Sequence, residues 1–415
     1  MTADLLTVKL EKHTFGGSAL GRVPDPITGV GGSAVFVPFA LPGETVRVRI
    51  VERKRGHLRA ELVEVLDPSP ERIPPRCSHF GVCGGCHYQH LSYPSQLQVK
   101  TDILRDQLTR LGKIPDPPVQ PMVASPQEWN YRNHVQFHLT PTGKLGTIQA
   151  NSRDILSISE CHLPEAALNS VWPRLEFDPG LGLERISLRL GADEQVMLLL
   201  ESGSPEAPEL ELEADLSVVH LADEDALVLA GDDHLTISVM ERAFRVSPAS
   251  FFQVNTAMAG KMVQHLLDHL PVSPRTTLLD VYCGVGLFSA FFAGRVGRLI
   301  GIEVSLSACD DFVANLDEFD HVALYQAPAE LVLPGLDARP DVVILDPPRA
   351  GLDRRALEAL LSLSPARLAY VSCDPATLAR DAARLIAGGY RLVQVTPFDL
   401  FPQTSSIESI SIFEK

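Results

Sequence analysis

No apolar run in this 415-residue sequence approaches the roughly 18 residues that a membrane-crossing helix needs. Its first residues, MTADLLTVKLEKH, carry charges where a secretory leader needs an apolar stretch. The chain therefore reads as cytoplasmic, with no membrane partner. Cysteine is sparse, with seven at positions 77, 83, 86, 161, 283, 309 and 373. An odd number without a leader excludes a disulfide framework. Lysine and arginine are missing altogether between Arg189 and Arg242, where 14 of the 52 acidic residues lie, leaving 38 elsewhere against 36 basic ones. A net charge of −16 argues against contact with phosphates. That acidity is local, however, and the stretch from Asp193 to Glu241 reads as a solvated face.

With 45% hydrophobic and 21% charged residues the composition is that of a globular protein, and the length predicts two or three domains. Residues 5–66 alternate apolar and polar positions, with turns at Gly16-Gly17, Pro42-Gly43 and Gly56, which predicts a small β-barrel. The Pro68–Pro75 stretch reads as a linker. Apolar residues at 97, 99, 103, 104, 108 and 111 predict a helix over Ser95–Leu111. From Asn130 to about Val246 the texture is mostly strand-like. From Ser250 onward strands and helices alternate, which implies a doubly wound α/β sheet with its ligands at the carboxyl ends of the strands.

The strand expected over Thr277–Val281 runs into Tyr282-Cys283-Gly284-Val285-Gly286, a glycine turn followed by a helix at Leu287–Phe292. Glu303 ends the next strand, where an acidic residue can bond ribose hydroxyls. The third glycine of a dinucleotide fingerprint is missing, which disfavours NAD. With Asp346-Pro347-Pro348-Arg349 ending a later strand, the crevice reads as one for S-adenosylmethionine.

Six ordered motifs carry a resemblance across some 165 residues: FFQVN (251–255), LDVYCGVG (279–286), GIEVS (301–305), LDPPRAGL (345–352), YVSCDPATLARD (370–381) and FPQTSSIES (401–409). They resemble the RNA (uracil-C5) methyltransferase family. The resemblance implies a Rossmann-like class I methyltransferase domain with S-adenosylmethionine held by Gln253, Tyr282, Glu303 and Asp346. Leu287 stands where many members have Asn, so no polar contact is expected there.

Uracil carbon 5 is a poor nucleophile until a thiolate adds to carbon 6, and a base must later remove the carbon-5 proton. The resemblance assigns the thiolate to Cys373 and the base to Glu408. Cys373 precedes a helix-like segment, Pro375–Leu385, whose N–H groups would stabilise a thiolate. Asp374 stands in place of the common Asn, and its negative charge works against that thiolate unless it caps the helix. Ser406 replaces the family's His, which puts a proton relay there in doubt but leaves the base. A buried target base must also leave its stack, so base flipping is expected.

Cys77, Cys83 and Cys86 place three thiols in one loop, with Cys161 as the candidate fourth ligand. Spacing alone favours zinc. The same set, with the Gly-Gly-Cys-x-x-Gln-His continuation at 84–90, resembles the [4Fe–4S] site of the ribosomal-RNA branch of the family. His79, His87 and His90 read as structural or RNA-facing. Residues 5–66 resemble a TRAM domain, an OB-like RNA-binding barrel, whose Lys12, Arg22, Arg47, Arg53, Lys54 and Arg55 could meet phosphates.

The expected organisation is multidomain. A TRAM-like barrel spans 1–66, a mostly-β iron–sulfur domain 67–249, and the methyltransferase domain 250–415, with helix 95–111 docking on the last. The resemblance implies 23S rRNA as substrate and a monomer. Three rivals remain: the same chemistry on tRNA, a radical S-adenosylmethionine enzyme, and a non-catalytic RNA-binding protein. The radical loop has Cys-x3-Cys-x2-Cys spacing, which Cys77-x5-Cys83 does not fit. Retention of Cys373 and Glu408 argues against the third.

Overall fold

The computed structural model describes residues 5–24, 32–209, 216–222 and 225–415, so acidic residues within 210–215 and 223–224 lie outside the described residues. Contacts divide the chain into two units, each assembled from separated stretches. Unit 1 comprises Met1–Ile103, Ile148–Leu156 and Phe401–Ser406, and unit 2 the remainder.

Unit 1 begins with β1 (Leu5–His13), β2 (Ser18–Pro24), β3 (Gly32–Pro38), β4 (Thr45–Lys54) and β5 (His57–Asp67). They close into a barrel in the order β1-β2-β3-β5-β4, which leaves no open edge. Period-2 alternation turns Val8, Leu10, Val35, Val37, Val46, Val48 and Leu58 inward. Fully burying each contributes roughly 1.5–3 kcal/mol. Gly21 permits the closest strand approach, since a Cβ there would lie 2.5 Å from Val8 Cγ1. Glu44, fully buried, ties the barrel to the Pro-rich segment by accepting from Arg72 Nε (2.5 Å) and the Ser69 and Leu41 N–H groups. The expected helix runs over Tyr93–Arg110, starting two residues before the expected Ser95.

The middle of the chain supplies β6 (His134–Leu139), β7 (Leu145–Ile148), β8 (Ile155–Ser157), β9 (Leu183–Leu190), β10 (Val196–Ser202), β11 (Ser217–Ala222) and β12 (Asp225–Ala230). Their sheet has the order β12-β11-β10-β9-β6-β7-β8. A hairpin of β13 (Leu235–Val239) and β14 (Arg242–Val246) follows. Among the described acidic residues of the 193–241 stretch all are exposed except Glu201, which is half-buried and paired with Arg185.

The last part of unit 2 is a sheet of β15 (Thr277–Val281), β16 (Arg298–Glu303), β17 (Val322–Gln326), β18 (Val342–Leu345), β19 (Arg367–Ser372), β20 (Arg391–Phe398) and β21 (Glu408–Glu414). Its order is β17-β16-β15-β18-β19-β21-β20. The first five are parallel, and β21 inserts antiparallel between β19 and β20. The order reverses between β15 and β18, which opens a crevice at their carboxyl ends. Among the described residues no helix is long and apolar enough to cross a membrane.

Candidate active site

The chain leaves β15 through a turn with left-handed backbone at Tyr282 (φ 65°), Gly284 (φ 53°) and Gly286 (φ 87°). For a tyrosine this costs on the order of 1–3 kcal/mol. The Tyr282 N–H is held by Ile302 O at 2.8 Å. A Cβ at Gly286 would lie 2.6 Å from Leu316 Cδ1, whereas one at Gly284 would meet nothing. Gly286 thus serves packing, while Gly284 leaves bare backbone open to a ligand. Leu287 is buried.

Glu303, at the end of β16, is fixed by three N–H donors. Its Oε2 accepts from Gly284 at 3.0 Å, and its Oε1 from Val304 (2.7 Å) and Ser305 (2.8 Å). Oε2, with a single donor, keeps acceptor capacity for a ligand. Asp280 was not picked out from the sequence, although an aspartate inside an apolar strand is a signal. It is fully buried, with Oδ2 accepting from Ser289 Oγ at 2.6 Å and Oδ1 without a partner. Burial pushes its pKa up to about 6 against the opposing Ser289 bonds, with Glu303 adding to the rise. Burial also pushes Asp346 up to about 7, helped by Asp280 and Glu303.

Gln253 is half-buried, and its carbonyl accepts from Asn133 Nδ2 at 3.2 Å. Two residues on, Asn255 caps the helix Thr256–His269. The segment before Gln253 is anchored by a second residue missed in the sequence. Asp311, fully buried, accepts from Ser247 N and Oγ (both 2.7 Å) and from Ser250 Oγ (2.6 Å). It sits on the helix Leu306–Asn315, which follows Glu303, so the segment before Gln253 is tied to the helix after β16.

Ser372, the last residue of β19, pairs with Ser409 on β21, which brings the next residue, Cys373, within electrostatic reach of Glu408. The N-terminal donors expected to favour a Cys373 thiolate are spent elsewhere. Asp374 is the helix cap, and its Oδ1 accepts from Ala376 N and Thr377 N, both at 2.9 Å. Burial pushes the Cys373 thiol up to about 11, with Glu408 and Asp346 adding to the rise and Arg349 opposing it. Only 8% exposed, Glu408 is itself pushed up to about 8 by burial and Asp346, again opposed by Arg349. Without a bound cofactor, burial and the two nearby carboxylates thus favour the thiol form at Cys373.

That state has a measurable consequence. Iodoacetamide labelling of the Cys373 peptide, followed by mass spectrometry, is expected to accelerate about tenfold per pH unit from pH 7 to beyond 9, because only the thiolate reacts. A plateau below pH 8 would contradict the upward shift of this thiol.

In unit 1, Cys77, Cys83 and Cys86 are half-buried, and in unit 2 so is Cys161; none forms a disulfide. The Gly85 N–H donates to Cys83 Sγ at 3.3 Å, and Gln89 Oε1 accepts the Cys77 N–H at 3.0 Å. Among the described residues, no three His, Cys, Asp or Glu side chains gather as a metal site. On the barrel, several cations expected to meet phosphates already have partners. Arg47 pairs with Glu64 (2.7 Å), Lys54 with Glu52 (3.1 Å) and Arg22 with Glu11 (4.0 Å). Such exposed pairs contribute only about 0–1 kcal/mol, so a phosphate can displace them.

The family description tRNA (Uracil-5-)-methyltransferase matches residues 209–332 and 336–415, and the TRAM domain description matches 3–63. An uncharacterized RNA methyltransferase of Thermosynechococcus vestitus is 33% identical over 98% of this chain and 97% of its own length. One from Streptomyces coelicolor is 35% identical, covering 98% and 92%. The crystal structure of Pyrococcus abyssi tRNA (uracil-54, C5)-methyltransferase in complex with S-adenosyl-L-homocysteine shares the fold, with a TM-score of 0.72 at 23% identity over 98% of this chain and all of that one. The chain belongs to the RNA (uracil-C5) methyltransferase family and carries an N-terminal TRAM domain.

Proposed function

We propose that this protein transfers the methyl group of S-adenosylmethionine to carbon 5 of a uracil in RNA through a covalent adduct between Cys373 and carbon 6. The observation that carries the reading is that β19, which ends one residue before Cys373, pairs with β21, which begins at Glu408, and so brings the two groups close enough for their charges to interact beside the crevice at the switch of strand order.

The crevice fits the cofactor: Gly284 leaves open space at its backbone, Asp280 Oδ1 is buried without a partner, and Glu303 is fixed with capacity to spare. Gln253, Tyr282, Glu303 and Asp346 would hold S-adenosylmethionine, which when bound supplies an electrophilic methyl group and a positive charge. That charge favours the ionised forms of nearby Cys373 and Glu408. The Cys373 thiolate adds to carbon 6, and the ring's electrons move onto carbon 5. Carbon 5 takes the methyl group, leaving S-adenosylhomocysteine. The Glu408 carboxylate then accepts the carbon-5 proton, the carbon–sulfur bond breaks, and Cys373 returns as thiolate.

For the substrate, the four cysteines with the TRAM barrel support ribosomal RNA of the 23S class. A second reading, transfer RNA, has its own support in the archaeal tRNA enzyme that shares the fold across the whole chain. Nucleoside mass spectrometry of both RNAs from cells with and without the gene separates them. Loss of 5-methyluridine from ribosomal RNA alone is the expected result, and loss from transfer RNA alone rejects it. We place the protein in the cytoplasm, acting as a monomer.

Cys77, Cys83, Cys86 and Cys161 are proposed as ligands of a [4Fe–4S] cluster. Half-buried thiols and an N–H donated to Cys83 Sγ support it. No step of the reaction runs through it. Anaerobically purified protein is expected to hold about four irons with broad visible absorbance, both lost in Cys83→Ala. Stoichiometric zinc without iron would reject the cluster.

A further inference from the structure

The Asp346–Leu352 stretch leaves β18 as an irregular loop, and its Arg349 is the positive charge that opposes the upward shifts at Cys373 and Glu408. What fixes this loop is a carboxylate outside the pair. Asp381 lies on the helix Pro375–Ala387 that follows Cys373, on the same face as Leu378, Ala382 and Leu385, and is fully buried. It accepts from Leu352 N at 2.8 Å, from Tyr370 Oη at 3.0 Å and from Arg380 Nε at 2.8 Å. Arg380 Nη2 in turn donates to Ala350 O at 2.8 Å.

Gly351 completes the closure. Its φ is 76°, and a Cβ there would lie 2.4 Å from both Asp381 Oδ2 and Arg380 Nη2. Tyr370 stands on β19, three residues before Cys373. One buried carboxylate therefore ties the strand that delivers Cys373 to the loop that delivers Asp346 and Arg349. A charge so buried is tolerated only while its donors stay in place, so an open loop would leave it poorly satisfied.

We propose that Asp381, together with Arg380, is a positioning residue that holds the 346–352 loop closed so that Arg349 faces the catalytic pair. It rests on reading Cys373 and Glu408 as nucleophile and base. The charged groups bearing on Cys373 are Glu408 on β21 and Asp346 and Arg349 on the loop, and those bearing on Glu408 are the same two loop residues. Withdrawing Arg349 removes the one positive charge among them. The carboxylate form of Glu408 then appears only at higher pH, and the rising limb of the rate profile moves up.

The test uses Asp381→Asn in the full chain, with S-adenosylmethionine and the RNA that the wild type methylates. The kcat is expected to fall about tenfold or more, with KM for S-adenosylmethionine within about twofold. The rising limb of kcat/KM for RNA against pH is expected to move up by about half a unit or more. Arg380→Met removes the bond to Ala350 at a partly exposed side chain, so it reports the same shift should Asp381→Asn fail to fold. A fall in rate with a pH profile superimposable on wild type, in whichever variant folds, would overturn the proposal, as would unchanged rates. Methylation surviving in Cys373→Ala would instead reject the catalytic reading beneath it.

Discussion

Cys373→Ala is expected to lose RNA methylation by at least about 10⁴-fold while binding S-adenosylmethionine as tightly as the wild type. The thiol is the group that raises the electron density at carbon 5, and removing a covalent nucleophile costs on that order or more. The crevice residues Gln253, Tyr282 and Glu303 belong to other segments of the chain and are held by bonds that do not involve Cys373. Cofactor affinity from calorimetry and methyl incorporation from labelled S-adenosylmethionine separate the two effects. A parallel loss of both would mean that Cys373 shapes the cofactor crevice rather than the reaction.

A second large effect is expected at Glu408. Glu408→Gln keeps the shape of the side chain, and Glu408 is itself pushed up to about 8, so near neutral pH the neutral amide resembles its dominant form. The fold should tolerate the change. Catalytically the amide cannot accept the carbon-5 proton. Addition and methyl transfer proceed, release stalls, and ordinary RNA should accumulate as a methylated covalent complex, with turnover reduced about 10²–10⁴-fold. A denaturing gel shows the complex, and mass spectrometry shows the methyl group on the trapped base. Glu408→Gln turning over at close to the wild-type rate would remove Glu408 from the role of base.

Both variants act at residues singled out from the sequence, next to strand ends, which are marked locally. The apolar run Thr277–Val281 and the glycine turn after it fix a strand and a following helix over the expected residues. Alternation in residues 5–66 was likewise enough for a barrel, whose inward valines follow the period of two. The upward push on the Cys373 thiol was not legible. It comes first from burial and then from Glu408 and Asp346, which segments far apart in the chain bring near it. The division of the chain is discontinuous as well: Phe401–Ser406 belongs to unit 1 while Glu408 belongs to unit 2. Asp381 had a visible signal, a carboxylate on the apolar stripe of a helix, but its partners Leu352 and Tyr370 appear only once the loop and strand are folded against it. Asp374 shows the mixed case. Its capping follows from its position, whereas its consequence, that the helix donors are spent on the cap, required the geometry.

The central claim is that the reaction passes through a bond between Cys373 and carbon 6 of the target base. It is tested most directly with ribosomal and transfer RNA carrying 5-fluorouridine, incubated with the wild-type protein and S-adenosylmethionine. Fluorine stands where the departing proton would be and cannot leave as a cation, so the methylated adduct cannot collapse. After protease and nuclease digestion, mass spectrometry should find the residue of 5-fluoro-5-methyl-dihydrouridine on the single peptide that contains Cys373. An adduct on a peptide without Cys373, or methyl transfer with no adduct on either RNA, would contradict it.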